Sequence, residues 1–289
     1  MGLFTRADDL RVVVQGITGR EGGFHTQIML AYGTHIVAGV TPGKGGEWAS
    51  GIQVLDSMTE AVSISGANTS VIFVPATQAA DAIFESIDAG IELIVCVTEG
   101  IPVHDMLRVC ARLRASNARL IGPNCSGILE PDRVSIGTFP VEAAMPGRIG
   151  VVSRSGTLSY EVVATLTAAG LGQSCVVGIG SDPIVGTTLT DVLTAFESDP
   201  ETDAVVLIGE IGSMAELNAA EYIRANMTKR VVAYIAGVSA PDGLRMGHAG
   251  AVIRSPEERA EFKQAALRAS GTHIAHSISQ IPSLIKPGT

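Results

Sequence analysis

Aromatic side chains are scarce, 4% of 289 residues, and charged ones make up only 17%, while hydrophobic residues reach 46% and glycine fills 33 positions. That balance reads as compact α/β protein and excludes a disordered chain. Long apolar runs are lacking too. Mean hydropathy is +0.33, yet no unbroken stretch reaches the length a bilayer span requires, so no membrane partner is expected. The start, "MGLFTRADDL", lacks both a signal-peptide core and the acid-free character of a transit peptide. Gly2 suggests myristoylation, but Arg6 stands where that motif wants a hydroxyl residue. A cytoplasmic protein is expected. The four cysteines (Cys96, Cys110, Cys125 and Cys175) lack CxxC spacing and sit mostly in apolar runs, which points to reduced thiols and not to disulfides or a zinc site. No metal-ligand set is expected. Positive charge is in deficit: 20 Lys and Arg against 29 Asp and Glu give −9, which argues against nucleic acid as a partner. Local dipoles can still hold an anionic ligand. Low-complexity tracts and short-period repeats are absent.

What is present is alternation. The short β-branched runs "LRVVVQG", "HIVAGV", "TSVIFVP", "IELIVCV" and "ARLIGP" are separated by helix-like stretches such as "ATQAADAIFESIDAG" and "VHDMLRVCARLRAS". This is the pattern of parallel βαβ units. A second series runs through "RIGVVSRSG", "SCVVGIG", "DAVVLIGEIG" and "RVVAYIAG". Between them "VEAAMPGRIG", punctuated by Pro146 and Gly147, is the best linker. Two doubly wound α/β domains are expected, residues 1–146 and 147–289.

Three places suggest chemistry. "VVVQGITGREGG" is a strand entering a glycine-rich turn and then a helix, whose N–H groups suit a diphosphate. Its spacing, Gly16, Gly19 and Gly22, is not GxGxxG, and a tight turn that merely needs glycine explains it as well. After the next strand an NAD site would place an acid. Here "TPGKGG" delivers Lys44, able to pair with a ribose phosphate, which favours coenzyme A over NADP and NAD. A solvated loop lysine is the plain alternative. "VVSRSGTLSYE" opens another anion cradle at Ser155, Gly156 and Thr157, without the lysine of a P-loop. An N-cap serine accounts for Ser155 equally. Finally, Glu210 ends the run "VVLIGEIG", and His248 lies in "GHAGA" among residues too small to pack it. Both follow strands of the second series, so they converge at one sheet edge, where a carboxylate on one ring nitrogen fixes the tautomer and leaves the other nucleophilic. Taken alone, Glu210 also fits a salt bridge.

With those residues in view, the chain resembles the α subunits of succinyl-CoA synthetases and related nucleotide-dependent acyl-CoA ligases. The resemblance runs through "GITG", "TPGKGG", "VTEGIP", "GPN", "SRSGTLSYE", "GIGSDPI", "GEIG", "YIAGV" and "GHAGA", nearly the whole chain. It implies an N-terminal Rossmann-like CoA-binding domain and a C-terminal flavodoxin-like ligase domain with a phosphohistidine loop. It implies that Thr18, Gly19, Arg20, Glu21, Lys44, Val97, Thr98 and Glu99 contact CoA. Ser155, Gly156 and Thr157 would hold phosphate, and Asn124 and Tyr160 would lie near a small organic acid. His248 would be phosphorylated, with Glu210 supporting it. A separate ATP-grasp β subunit would bind ATP or GTP with Mg²⁺, in an αβ or α2β2 heteromer, and the activity would belong to the tricarboxylic acid cycle.

Departures from that pattern leave the acid open. "GPNCSG" puts Ser126 where proline is usual, and Ser181 and Ser213 replace glycines. After the histidine, "RSPEERAEF" stands where a lysine-containing GGKGTA-like stretch is expected. The leading expectation is a ligase subunit forming succinyl-CoA. The alternatives are a malate-, itaconate- or sulfinate-type CoA ligase, or a non-catalytic CoA- or NAD(P)-binding regulatory module.

Overall fold

A computed structural model describes residues 9–286; Gly2 and Arg6 lie outside the described residues. The chain divides into two compact units that exchange short segments. Residues up to 129, with 133–139 and 184–187, form the first, and 130–132, 140–183 and the remainder from 188 form the second.

The first unit begins with β1 (Val12–Gln15), α1 (Arg20–Tyr32) and β2 (Ile36–Val40). The small hairpin β3 (Trp48–Ala49) and β4 (Ile52–Leu55) follows, then α2 (Met58–Ser65), β5 (Thr69–Ile72) and α3 (Ala76–Asp88). Next come β6 (Leu93–Cys96), α4 (Val103–Arg114) and β7 (Arg119–Ile121). The sheet order is β3-β4-β2-β1-β5-β6-β7, parallel wherever the pairing is seen except for β3 against β4. Without the β3 edge this is the dinucleotide-fold order, which reverses between β1 and β5 and opens a crevice at their carboxyl ends. Strand residues Val13, Ile72 and Ile94 are fully buried, as parallel strands covered on both faces must be. Helix α3 seals one face with Ala79, Ala82, Ile83 and Ser86 at helical spacing. Truncating Ile83 to alanine there would cost about 2–5 kcal/mol.

Strands β8 (Gly127–Glu130) and β9 (Val134–Gly137) come next; β9 is anchored to the end of α1, where the Thr34 hydroxyl donates to the Ser135 carbonyl at 2.7 Å. The second unit then runs β10 (Pro146–Ser153), α5 (Gly156–Ala168), β11 (Gln173–Gly178), α6 (Leu189–Ser198) and β12 (Ala204–Glu210). It finishes with α7 (Ala215–Asn226), β13 (Arg230–Ala236), α8 (Ala260–Ala269), β14 (His273–Ala275) and α9 (Ile281–Ile285). Its own strands lie in the order β14-β13-β12-β10-β11, a flavodoxin-like sequence whose switch point falls between β10 and β12. The register Ser153↔Ile208 and Glu210↔Ala236 puts the ends of β10, β12 and β13 on one edge.

Both strand series expected from sequence are present. The linker is not a plain coil: after a 3-10 turn at Val141–Ala143, its second half is already β10. Gly147 is needed there because a Cβ would sit 2.3 Å from the Gly172 backbone. The short strands β3, β4, β8, β9 and β14 carry no pattern that sequence periodicity reveals. The four cysteines are free, and burial pushes the Cys125 and Cys175 thiols up. Among the described residues no helix is long and apolar enough to cross a membrane.

Candidate functional site

In the first unit the glycine-rich turn is a close-packed cradle. Gly16 has φ of +81°, and a Cβ on Gly22 would fall 2.2 Å from the Gly16 carbonyl oxygen. Any side chain at 22 would push α1 off the turn, so both glycines are required by geometry. Gly19 is the N-cap of α1 and offers no side-chain cap, which leaves the first-turn N–H groups to a ligand or water. Arg20 and Glu21 are exposed, and the half-buried Thr18 donates its hydroxyl to Thr41 at 3.1 Å. Thr41 begins the loop that carries Lys44, where the Lys44 N–H donates to the Thr41 carbonyl (3.1 Å) and the Gly45 N–H to Asp56 (2.9 Å). The Lys44 side chain is exposed. Val97, Thr98 and Glu99 follow β6; the Thr98 hydroxyl donates to the Val74 carbonyl (2.6 Å), and the Thr98 carbonyl accepts the Asn124 N–H (2.8 Å). The turn at 16–19, the 41–47 loop and residues 97–99 therefore share one sheet edge. Asn124 belongs to this unit and Tyr160 to the other.

In the second unit Ser155 is the N-cap of α5: its hydroxyl accepts the Leu158 N–H (3.4 Å), and its own N–H donates to Ser153 Oγ (3.0 Å). Gly156 and Tyr160 are half-buried, and Thr157 is exposed. Beside this helix start stands the pair expected from sequence. His248 Nδ1 lies 2.6 Å from Glu210 Oε2, with the ring 35% exposed and the carboxylate 6%. With Nδ1 committed to a carboxylate, the chemistry of the ring falls to Nε2.

The glycines around His248 have a different purpose from the one their smallness suggests. A Cβ on Gly250 would meet the Ser181 carbonyl at 2.7 Å, and one on Gly212 would meet the Gly250 carbonyl at 2.0 Å. They let the histidine loop lie directly on the backbone that follows β12, at Gly212, and on that which follows β11, at Ser181. Ser213 takes φ of +58°, which explains why glycine suits that position. "RSPEERAEF" is ordered by its own contacts. The Arg254 N–H donates to Glu258 Oε2 (2.6 Å), the Glu258 carbonyl accepts the Gly212 N–H (3.0 Å), and Arg259 Nε donates to Asp242 (3.1 Å).

Sequence did not single out Arg154, Glu216 or Lys263, yet all three are buried behind Glu210. Arg154 Nη2 lies 3.4 Å from Glu210 Oε1, and its Nη1 donates to Glu216 Oε1 at 2.9 Å. Lys263 Nζ pairs with Glu216 and donates to the carbonyls of Glu210 (2.7 Å) and Gly212 (2.6 Å). Burial alone would raise the Glu216 pKa, but Arg154 and Lys263 outweigh it and hold it below the usual carboxylate range. Burial opposes the charge on Arg154 too, and Glu216 and Glu210 outweigh it, so its pKa rises. On Lys263 burial prevails over Glu216, and the pKa is lowered. A sequence signal does exist: Glu216 shares its buried stripe with Ala219, Ala220 and Ile223, and Lys263 with Ala260, Gln264 and Leu267. Charges at apolar-phase positions of two helices require buried partners.

Residues 7–100 match the family model of the CoA binding domain, and residues 152–273 that of CoA-ligase. The chain is 56% identical over 275 residues to succinate–CoA ligase (ADP-forming) subunit alpha 2 of Archaeoglobus fulgidus, covering 95% of this chain and 96% of that one. It is 53% identical to the alpha subunit of the same name from Aquifex aeolicus, over 94% of this chain and 90% of that one. The fold resembles ATP citrate lyase from Methanothrix soehngenii, solved with citrate and coenzyme A, with a TM-score of 0.88 and 23% identity. That match covers 96% of this chain, which spans about half (49%) of the lyase. An acetyl-coenzyme A synthetase from Ca. Korarchaeum cryptofilum matches with a TM-score of 0.76 and 20% identity, over 96% of this chain and 60% of that one.

Proposed function

The chain belongs to the family of succinate–CoA ligase alpha subunits, and from that premise we propose that it joins succinate to coenzyme A at the expense of ATP, through phosphorylation of His248. The observation that carries this reading is the His248–Glu210 pair at the edge of the second sheet. The names of the relatives from Archaeoglobus fulgidus, Aquifex aeolicus and Staphylococcus aureus, each ADP-forming, support ATP as the nucleotide and make a malate-, itaconate- or sulfinate-type ligase or a non-catalytic module the weaker readings.

His248 Nε2 attacks the terminal phosphoryl group, forming an N–P bond as the bond to the ADP oxygen breaks. Positive charge grows on the ring, and Glu210, accepting from Nδ1–H, stabilises it. The N-terminus of α5, through the N–H groups around Ser155, Gly156 and Thr157, holds the dianion. The ring then gives the phosphoryl group to a carboxylate oxygen of succinate, with cleavage of N–P. The acyl carbon finally exchanges its phosphate for the sulfur of CoA. Two easier displacements replace one difficult condensation.

The CoA-binding domain takes residues 1–146 and the ligase domain 147–289 in this reading, whereas the first compact unit comprises residues up to 129 with 133–139 and 184–187. The cradle fits the diphosphate: the N-terminus of α1 has no side-chain cap, and Gly16 and Gly22 let its first turn lie against the preceding loop. Thr18, Gly19, Arg20 and Glu21 line its approach, Lys44 meets the ribose phosphate, and Val97, Thr98 and Glu99 also contact CoA. A β subunit of ATP-grasp fold supplies the nucleotide with Mg²⁺ in a cytoplasmic heteromer. The test is co-expression with that subunit and a screen of small acids for CoA-dependent ADP release. Succinate should head the series; turnover by the isolated chain would sink the division of labour.

A further inference from the structure

Three buried charges stand behind Glu210 without a part in the steps above. We propose that Lys263, together with Glu216 and Arg154, is a positioning residue for phosphoryl transfer: the trio fixes Glu210 and balances its charge, so that His248 is held as a neutral nucleophile. The proposal rests on the phosphohistidine reading.

Lys263 is fully buried, and its ammonium group has three hydrogens. One goes to Glu216, and the others go to the carbonyls of Glu210 and Gly212, at 2.7 and 2.6 Å. An ion pair alone would need only the first. The other two pin both sides of the turn that ends β12. Glu216 Oε1 in turn accepts the Glu210 N–H at 3.1 Å. Glu210 is thus gripped at its N–H, at its carbonyl and, electrostatically, at Oε1, which faces Arg154 Nη2 at 3.4 Å but makes no hydrogen bond. Its remaining oxygen is on the histidine. A shift of this turn would carry the carboxylate with it, and small displacements of an orienting group are costly in rate.

Stability does not explain the arrangement, because buried ion clusters are often replaced by apolar side chains at no loss. Charge does. Arg154 and Lys263 balance Glu210 and Glu216, so the cluster is neutral before the ring is counted. Two further charges lie close by: Glu258, from the 3-10 turn before α8, acts on Arg154, and Arg245 Nε donates to the His248 carbonyl at 3.3 Å. Removing one cation leaves net negative charge beside His248, favouring imidazolium, which cannot attack phosphorus. Removing Glu216 does the reverse.

The test is single-turnover labelling of His248 from γ-labelled ATP against pH, in the complex with the partner subunit. Lys263→Met should slow labelling about tenfold or more and move the acid limb of the rate profile to higher pH. Glu216→Gln should slow it too but move the limb to lower pH. The double variant should return the limb to its wild-type position while the rate stays low. CoA affinity, measured alongside, should be unchanged throughout. Wild-type rates and an unmoved limb in the folded variants would overturn the proposal. If Lys263→Met fails to fold, the direction of the Glu216→Gln limb decides it. A wild-type complex that never labels at His248 fails the phosphohistidine reading itself, which is distinct from labelling that ignores the trio.

Discussion

The two sheet edges handle an anion in opposite ways. The edge of the first unit is made of backbone: the N-terminus of α1 has no side-chain cap, Gly16 and Gly22 let its first turn pack on the loop before it, and the nearest loop cation, Lys44, is exposed. The edge of the second unit is made of charge: Glu210 and Glu216 face Arg154 and Lys263 in a space closed to water, with only the histidine reaching outward. Backbone dipoles cannot titrate and do not change during a reaction, so they suit a ligand that must be held unaltered. A buried carboxylate in a balanced field responds strongly to charge appearing next to it, because screening is weak there. In the function proposed above, the first arrangement binds and the second reacts.

The comparison breaks at once if the second edge does not carry the covalent step. His248→Ala should abolish acid-labile, base-stable phosphoryl labelling while CoA affinity stays at wild type; persistent labelling would place the nucleophile elsewhere. Glu210→Gln keeps the shape and removes the charge, and should slow labelling by about 10²-fold. Rapid-quench kinetics would show this, and a loss under threefold would reduce Glu210 to a packing residue. At the first edge, Lys44→Ala should weaken CoA about tenfold and dephospho-CoA hardly at all, because only the former carries the 3′-phosphate. Equal losses in calorimetry would give Lys44 another role.

A gentler probe is acid. The Glu216 pKa is depressed in the folded chain, so its contribution to stability is present above the unfolded value of 4.5 and disappears as pH falls through the folded value. The stability difference between wild type and Glu216→Gln should therefore shrink below pH 4.5 in denaturant titrations, and a constant difference would contradict the pairing. Smallest of all, Arg148→Ala should leave labelling and CoA binding unchanged. The Arg148–Asp203 pair, at 2.5 Å, is exposed on both sides and lies at the opposite end of β10 from Ser153.

Most of this was legible in the residues because each element carried its own signal. Val12–Gln15 and Ala204–Glu210 are β-branched runs, and glycines mark the turns beside them. The His248–Glu210 pair was legible because both residues follow strands of one parallel series, and parallel strands deliver their ends to a single edge. Arg154, Glu216 and Lys263 escaped for the converse reason. They come from a strand end and two helices, and each alone looks like an ordinary surface charge. Only the phase of α7 and α8 betrays Glu216 and Lys263. Strands such as β3 and β14, two and three residues long, owe their existence to a neighbour's ladder and not to any period of their own.

The hairpin beyond Lys44 has a use in the laboratory. Trp48, on β3, is the chain's single tryptophan and is 70% exposed. Its indole is already largely hydrated, so its emission should change little when either sheet comes apart. A molecule seated against the 41–47 loop would alter that hydration or quench the ring. The protein thus carries an intrinsic fluorophore that is nearly blind to unfolding and is sensitive to occupancy of one loop.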